Sequence, residues 1–416
     1  MSTASSAEID IRALIRSGAV ETYLQPIASV RRQGLIGVEA LTRCTVDGVR
    51  IAPPVLFETA ARAGLAAELD HLCRRTAVQN FRALHAMYPG LVLFVNCHPD
   101  TLTEAPHALD GWASLADRFG IDPPNIAVEF AEADLGDAET VRKATRALRG
   151  AGFLVALDDI GAKAANLDRI AYVKPDIIKA DRELVSGIDQ DFHKREVFRS
   201  LVVMSERLGG WIIAEGVETQ DEAVAVVELG GDMLQGYLFG RPYPVGSGEG
   251  VKWEEARVVA AATRFKERRL GAARAARSRR DERAELVRRL AAGLGSCAPD
   301  EAESALQRLI RPVPAVLSAT VMDESGVQVT ETVLNPLRML REKTVIFAPP
   351  ARGADHSLKE YFYLLMEGET DPFTTSPYVP LASGDLAVTL TTRFHHSDGS
   401  ARVLCVHVRA ESGDAT

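Results

Sequence analysis

From Thr22 to about Pro244, short apolar runs alternate with longer stretches that carry apolar residues on one helical face. The runs that fit strands are Tyr23–Val30, Leu35–Thr42, Leu91–Asn96, Ile126–Phe130, Phe153–Asp158, Asp176–Asp181, Trp211–Glu215 and Met233–Phe239. Amphipathic stretches such as Pro54–His85, Ala138–Arg149, His193–Leu208 and Asp221–Leu229 separate most of them. Eight strands with helical crossovers over roughly 220 residues predict an α/β fold closed into a TIM-like (β/α)8 barrel rather than an open sheet. The first two runs are joined by the short turn Arg31-Arg-Gln-Gly34. That is a hairpin connection, so one strand is expected to run against the rest.

The pattern changes after the barrel. Trp253 to about Leu294 carries no strand signal and is rich in Ala, Arg, Glu and Leu, all strong helix formers. Its arginines, among them Arg268, Arg269, Arg279, Arg280, Arg288 and Arg289, point either to an anionic partner or to a solvated linker helix. Interspersed Glu254, Glu255, Glu267, Asp281, Glu282 and Glu285 favour the linker through pairs within the helix. From about Ala298 to Val408 the pattern is compact α+β. A helix over Asp300–Ile310 precedes strands at Ala315–Met322 and Val327–Val333, and Ala387–Phe394 and Val403–Val408 flank the turn Ser397-Asp-Gly399. The expected division is a barrel over 1–250, a linker helix over 251–296 and a second domain over 297–416.

A hydrophobic fraction of 46% with 25% charged residues fits folded domains rather than bulk disorder. The formal charge of −9 argues against general nucleic-acid binding, which needs a basic face. A phosphate-bearing small substrate remains open, because cations held by carboxylates supply positive charge locally. The five cysteines are scattered and form no C-x-x-C pair, which argues against zinc and disulfides and fits a reducing compartment. The start, MSTASSAEIDIR, lacks a basic and apolar leader, and no apolar run reaches the ~20 residues of a membrane span. A cytoplasmic location is therefore expected.

The acids fall in a telling place. Glu39, Asn96, Glu129, Asp158-Asp159, Lys179 and Glu215 each lie in or at the end of an apolar run. In a barrel those ends gather at one rim, so residues far apart in sequence should converge there. A single acid after a strand serves equally well as a helix cap; polar groups at six strand ends together do not reduce to capping. Converging carboxylates need cations, and an oxygen-rich set without Cys or His suits Mg²⁺ or Mn²⁺. Two such ions suit in-line hydrolysis of a phosphodiester. Lys179 would offset the acids and orient the attacking water. His98, beside Asn96, fits a hydrogen-bonding role better than ligation.

These residues resemble a known family. Gln25-Pro-Ile27, Glu39-Ala-Leu-Thr-Arg43, Asn96, Glu129-Phe-Ala-Glu132, Asp158-Asp-Ile-Gly161, Lys179-Ala-Asp181, Glu215-Gly-Val-Glu218-Thr219 and Gln235-Gly-Tyr237 match the EAL domain in order, across about Ile11–Pro244. The resemblance implies a phosphodiesterase that opens cyclic di-GMP to pGpG with Mg²⁺ or Mn²⁺, working as a homodimer. It implies that Glu39, Asn96, Glu129 and Asp158 hold one metal and that Asp158 and Asp159 share a second. Glu215 would serve as ligand or general base, and Lys179 would position the water. Gln25 and Arg43 resemble substrate contacts, Asp181, Glu218 and Gln235 complete the pocket, and Glu132 anchors the metal-site loop.

The chain departs from the family after its Asp-Asp pair. Ile160-Gly161-Ala162-Lys163-Ala164-Ala165-Asn166 stands where the family has Phe-Gly-Thr/Ala-Gly-Tyr/Phe-Ser-Ser, so Lys163 replaces a glycine and Ala164 an aromatic residue. A receptor that binds cyclic di-GMP without turnover is the alternative reading. The C-terminal segments Glu360-Tyr-Phe-Tyr363, Thr375-Ser-Pro-Tyr378 and Leu381-Ala-Ser-Gly384 resemble PAS- or Cache-like sensor domains. They leave open a small ligand near Tyr378 or Arg393, or a dimerisation module with no ligand.

Overall fold

The computed structural model describes residues 9–97, 108–162, 168–245, 252–336, 349–368, 371–380 and 385–410. The chain divides into two compact units, Met1–Glu267 and Arg268–Thr416.

The first unit is a closed barrel. Its strands are β1 (Glu21–Ser29), β2 (Gly34–Val46), β4 (Val92–Asn96), β5 (Ile126–Ala131), β6 (Leu154–Ile160), β7 (Ile177–Ala180), β8 (Trp211–Ala214) and β9 (Met233–Gln235). They hydrogen-bond in the ring β1-β2-β4-β5-β6-β7-β8-β9, which closes because β9 returns to β1. Neighbours from β2 to β9 run parallel, while β1 is antiparallel to both β2 and β9. The hairpin turn at Arg31–Gly34 thus reverses one strand, as its brevity predicts. Two short strands lie outside the ring: β3 (Val49–Ile51) pairs with β2, and β10 (Tyr243–Pro244) pairs with β1.

Several predicted boundaries shift for local reasons. The stretch Pro54–His85 is two helices, Pro53–Arg62 and Ala66–Met87, divided at Gly64 with φ +67°. Only the left-handed region suits that corner, and glycine reaches it without a Cβ clash. The run Met233–Phe239 stops pairing at Gln235 because the chain turns at Gly236 against the backbone of Val217. A Cβ on Gly236 would lie 2.0 Å from the Val217 carbonyl oxygen.

Crossover helices cover the barrel. Val78, Phe81, Val141, Leu148, Phe198, Leu201 and Val226 share one core with the outward faces of the strands. Val258, Ala261 and Ala262, from the first turns of the helix Glu255–Gly295, join that core. Burying each large side chain of this kind contributes about 1.5–3 kcal/mol.

In the second unit five antiparallel strands stand in the order β12 (Val333–Leu334), β11 (Val316–Met322), β15 (Ala401–Arg409), β14 (Ala387–His395) and β13 (Phe373–Thr374). Val287, Leu290 and Leu294 of the long helix and Leu306 and Ile310 of the helix Ala302–Ile310 pack on one face. The α+β class and the hairpin at Ser397–Gly399 agree with the sequence. The strand expected at Val327–Val333 does not form as a unit: Val327 and Gln328 make isolated bridges and only Val333–Leu334 pairs as a strand. The Gln328 side chain instead bonds the Thr330 carbonyl and the Thr332 hydroxyl, a local alternative to the ladder.

Candidate metal centre

Side chains along a strand alternate between faces, so residues two apart share the barrel interior. Ile27, Phe94, Ala127, Ala156, Ile177, Ile213 and Met233 form one buried apolar layer inside the ring. Each is two residues from a polar one: Gln25, Asn96, Glu129, Asp158, Lys179, Glu215 and Gln235. The same period that builds the floor places the polar set one step above it, at the C-terminal ends of the parallel strands. Gln25 reaches this level from the opposite direction, because β1 is antiparallel.

Lys179 lies at the centre and is fully buried. Its Nζ stands 2.7 Å from Glu215 Oε1, 2.8 Å from Glu129 Oε1, 3.2 Å from Asp158 Oδ1 and 3.7 Å from Glu39 Oε1. The Glu129 contact is close but poorly aligned for hydrogen bonding, and Glu129 Oε2 has no hydrogen-bond partner among the described residues. Burial pushes the Glu129 carboxyl well above its usual range, against the pull of Lys179. Burial likewise raises Glu215 to about 8, with Asp158 and Glu39 adding to the shift. Asp159 rises to about 6 through burial and then through its neighbours Asp158 and Asp181. For Lys179 burial favours the neutral amine, but the surrounding carboxylates outweigh it and hold the ammonium charged. One ammonium faces four close carboxyl groups, and the raised values of Glu129 and Glu215 show that it does not suffice to keep all four charged.

Asp158 and Asp159 break the regular strand. The β6–β7 register shifts between Leu157 and Ile160, and Asp159 adopts φ +60°. A bulge re-aims side chains at the cost of about 1–3 kcal/mol for a non-glycine residue in the left-handed region. Here it brings two consecutive carboxylates to one rim, although residues one apart normally face opposite sides. The Asp159 amide also donates to Asp158 Oδ1 at 2.9 Å.

Two groups of oxygens gather within ion-binding reach among the described residues: Glu39, Glu129 and Asp158, and Asp158, Asp159 and Glu215. Within each group the nearest oxygens lie within 4.8 Å of one another. All are hard carboxylate donors, and the unpartnered oxygen of Glu129 offers an unused lone pair, so the set fits a divalent cation of the Mg²⁺ or Mn²⁺ type.

The remaining candidates occupy the surroundings. Asn96 Nδ2 donates to Glu39 Oε1 at 3.3 Å, and Gln235 Nε2 donates to Glu39 Oε2 and to Gln25 Oε1. Half-buried Arg43 packs over the Tyr23 ring, 5.5 Å from its centroid. Asp181 caps the helix Arg182–Val185 by accepting from the Glu183 amide at 2.7 Å. Glu132 pairs with Arg169 at 2.8 Å, and Arg169 also donates to the Leu135 carbonyl. Glu218 pairs with Arg182 at 2.9 Å. His98, Lys163, Ala164 and Leu381–Gly384 lie outside the described residues. Sequence reasoning missed Arg169 and Arg182, whose partners are set by loop geometry, and Arg241, stacked 4.1 Å from the Tyr237 ring centroid.

In the second unit, Tyr378 and Arg393 are both engaged. The Tyr378 hydroxyl meets Thr389 Oγ1 at 2.7 Å and His407 Nδ1 at 3.1 Å, and Arg393 pairs with Asp371 at 3.2 Å. No helix among the described residues is long and apolar enough to cross a membrane.

A (β/α)8 barrel with one reversed strand and a ring of acids at its C-terminal rim belongs to the class of barrels whose candidate site lies at the C-terminal face. The EAL domain profile matches residues 9–242, and the chain belongs to that family. Over 231 residues it is 30% identical to the cyclic di-GMP phosphodiesterase RocR of Pseudomonas aeruginosa, covering 55% of this chain and 58% of that one. The chain therefore spans less than two thirds of that relative's length. Its fold resembles the Bacillus subtilis YkuI protein, which has an EAL domain and was solved with substrate cyclic di-GMP and calcium. The TM-score is 0.78 at 20% identity, over 97% of this chain and all of that one. Klebsiella pneumoniae BlrP1, solved with calcium and cyclic di-GMP, aligns with a TM-score of 0.51 at 30% identity, over 56% of this chain and 57% of that one.

Proposed function

We propose that the chain hydrolyses cyclic di-GMP to linear pGpG with Mg²⁺ or Mn²⁺. The observation that carries this reading is the pair of carboxylate groups sharing Asp158 beside a buried lysine that leaves them underneutralised. Glu39, Asn96, Glu129 and Asp158 hold one cation, and Asp158 and Asp159 hold the other. When bound, the cations polarise the phosphodiester and supply an activated water. Glu215 either takes the proton of the attacking water or completes the second ligand set. Lys179, fixed by its carboxylates, donates a hydrogen bond that orients that water. Gln25, Arg43, Asp181, Glu218 and Gln235 line the substrate, with the Arg43 guanidinium suited to a phosphate. The pair Glu132–Arg169 anchors the loop that follows β6. The C-terminal unit acts as the regulatory domain of a homodimer.

The test is incubation of purified protein with cyclic di-GMP and either cation, followed chromatographically for pGpG. Glu39→Ala and Asp158→Ala should abolish turnover while the chain stays folded. Nucleotide bound without any pGpG would replace hydrolysis with the receptor reading.

A further inference from the structure

Glu222 lies outside the acid ring, at the third position of the helix Gln220–Glu228, and is buried to 6% exposure. One oxygen accepts the Gly187 amide at 2.9 Å. The other accepts the amides of Glu218 at 2.9 Å and Thr219 at 3.0 Å. Thr219 returns the contact, its hydroxyl accepting from the Glu222 amide at 3.2 Å. The Thr219 half is an ordinary capping box, which one carboxylate oxygen satisfies. The Gly187 bond is not part of it. Gly187 belongs to the loop after β7, the strand that carries Lys179, whereas Glu218 and Thr219 belong to the loop after β8, which begins at Glu215.

These two loops also touch higher up. Arg182 of the first pairs with Glu218 of the second, and a Cβ on Gly216 would fall 2.4 Å from the Arg182 side chain. The Arg182–Glu218 pair is exposed, and such pairs are worth little. The buried carboxylate with three backbone donors is the stronger tie. Burial alone would raise its pKa, yet the three amides together hold it below the usual range. It stays charged when pH falls toward the ordinary carboxylate range.

We infer that Glu222 is a positioning residue that clamps the loops after β7 and β8 together and thereby fixes Glu215 against Lys179. The clamp is independent of turnover; only its effect on rate rests on the proposed hydrolysis. Glu222→Ala frees both loops. Glu222→Gln keeps one accepting oxygen, which serves the Glu218 and Thr219 amides, and turns an amide donor toward the Gly187 N–H. It should therefore release one loop only.

Hydrogen exchange read by mass spectrometry measures the clamp directly, in peptides covering 186–190 and 216–220. In Glu222→Ala, exchange should rise by more than about tenfold in both segments while the remaining barrel stays protected. In Glu222→Gln it should rise in 186–190 alone. Unchanged exchange in both variants, or a rise spread evenly over the barrel, overturns the clamp. In the cyclic di-GMP assay Glu222→Ala should lower kcat by about ten- to a hundredfold with KM within about twofold, because geometry and not binding is lost. The Gln variant should fall between it and the wild type. Released loops with unchanged kcat overturn the positioning role. A wild type with no hydrolysis refutes the proposed function but not the clamp. Positioning is then read from Mn²⁺ affinity by electron paramagnetic resonance, which should weaken by about tenfold or more in Glu222→Ala, and an unchanged affinity would reject it.

Discussion

Lys179 Nζ, on β7, and Glu215 Oε1, just past the end of the adjacent β8, stand 2.7 Å apart, and this contact places an internal cation where divalent ions are expected to share the work. In the absence of metal, Lys179 is the cation in direct contact with the ring among the described residues. Lys179→Met should therefore destabilise the chelated protein by about 3–5 kcal/mol, the usual cost of leaving buried charges without their partner. Urea unfolding with EDTA measures this. Mn²⁺ should restore more stability to the variant than to the wild type, and equal restoration would separate the lysine from the cation site.

Glu215 is raised to about 8 by burial. A group whose folded pKa is raised stabilises the fold below its unfolded pKa and loses that contribution as pH rises through the folded value. The metal-free barrel should therefore lose stability between about pH 4.5 and pH 8, the window bounded by the ordinary and raised values. Glu215→Gln should flatten that dependence in calorimetric scans with EDTA. In the enzyme assay the same variant should keep cyclic di-GMP binding and slow hydrolysis by about a hundredfold, as for a group acting mainly in the transition state. Full activity would remove Glu215 from the mechanism.

The C-terminal unit should show the opposite slope. The His407 ring is enclosed by Tyr361, Tyr378, Thr389 and Cys405, although part of the residue reaches the surface. Burial lowers its pKa to about 4. The stability from keeping it neutral is complete above about pH 6.5 and is lost as pH falls toward 4, a change of at most about 3 kcal/mol. His407→Asn keeps a polar atom near the Nδ1 position without titrating. Denaturant melts at pH 7.5 and 4.5 should show a smaller pH difference in the variant.

Lys163→Gly combined with Ala164→Tyr restores the family pattern in the loop after the Asp-Asp pair. The change should raise turnover more than affinity, because the acids proposed to bind cations lie outside it. Calorimetric titration with cyclic di-GMP beside the pGpG assay separates the two effects. Weaker binding in the restored variant would instead mark Lys163 as a phosphate contact.

Much of the barrel was legible because one rule governs both its floor and its rim. Phe94 and Asn96, or Ile177 and Lys179, are two residues apart, and an apolar run ending in a polar residue already encodes that geometry. The bulge was not legible. Asp158 and Asp159 are adjacent, and only a break in register at Leu157–Ile160 turns both toward one rim. The short strand Val49–Ile51 was missed although Asp47-Gly48 before it is a hairpin signal, because three residues show no alternation. The partners Arg169 and Arg182 depend on how separate loops meet, which periodicity does not carry. In the C-terminal unit the regular hairpin was readable, whereas Val327–Val333 carries strand-like residues whose polar side chains satisfy the backbone locally.

The apolar layer of Ile27, Phe94, Ala127, Ala156, Ile177, Ile213 and Met233 makes the barrel a cup rather than a tube. Beneath it lies a separate cavity of about 290 Å³, lined by residues such as Val92, Leu154 and Trp211 at the other mouth. With that partition in place, the acid ring opens to one side only, so under the proposed hydrolysis ions and nucleotide would share one entrance. Whatever covers or uncovers the rim would then control arrival and departure together, and a single obstruction there would trap product as effectively as it excludes substrate.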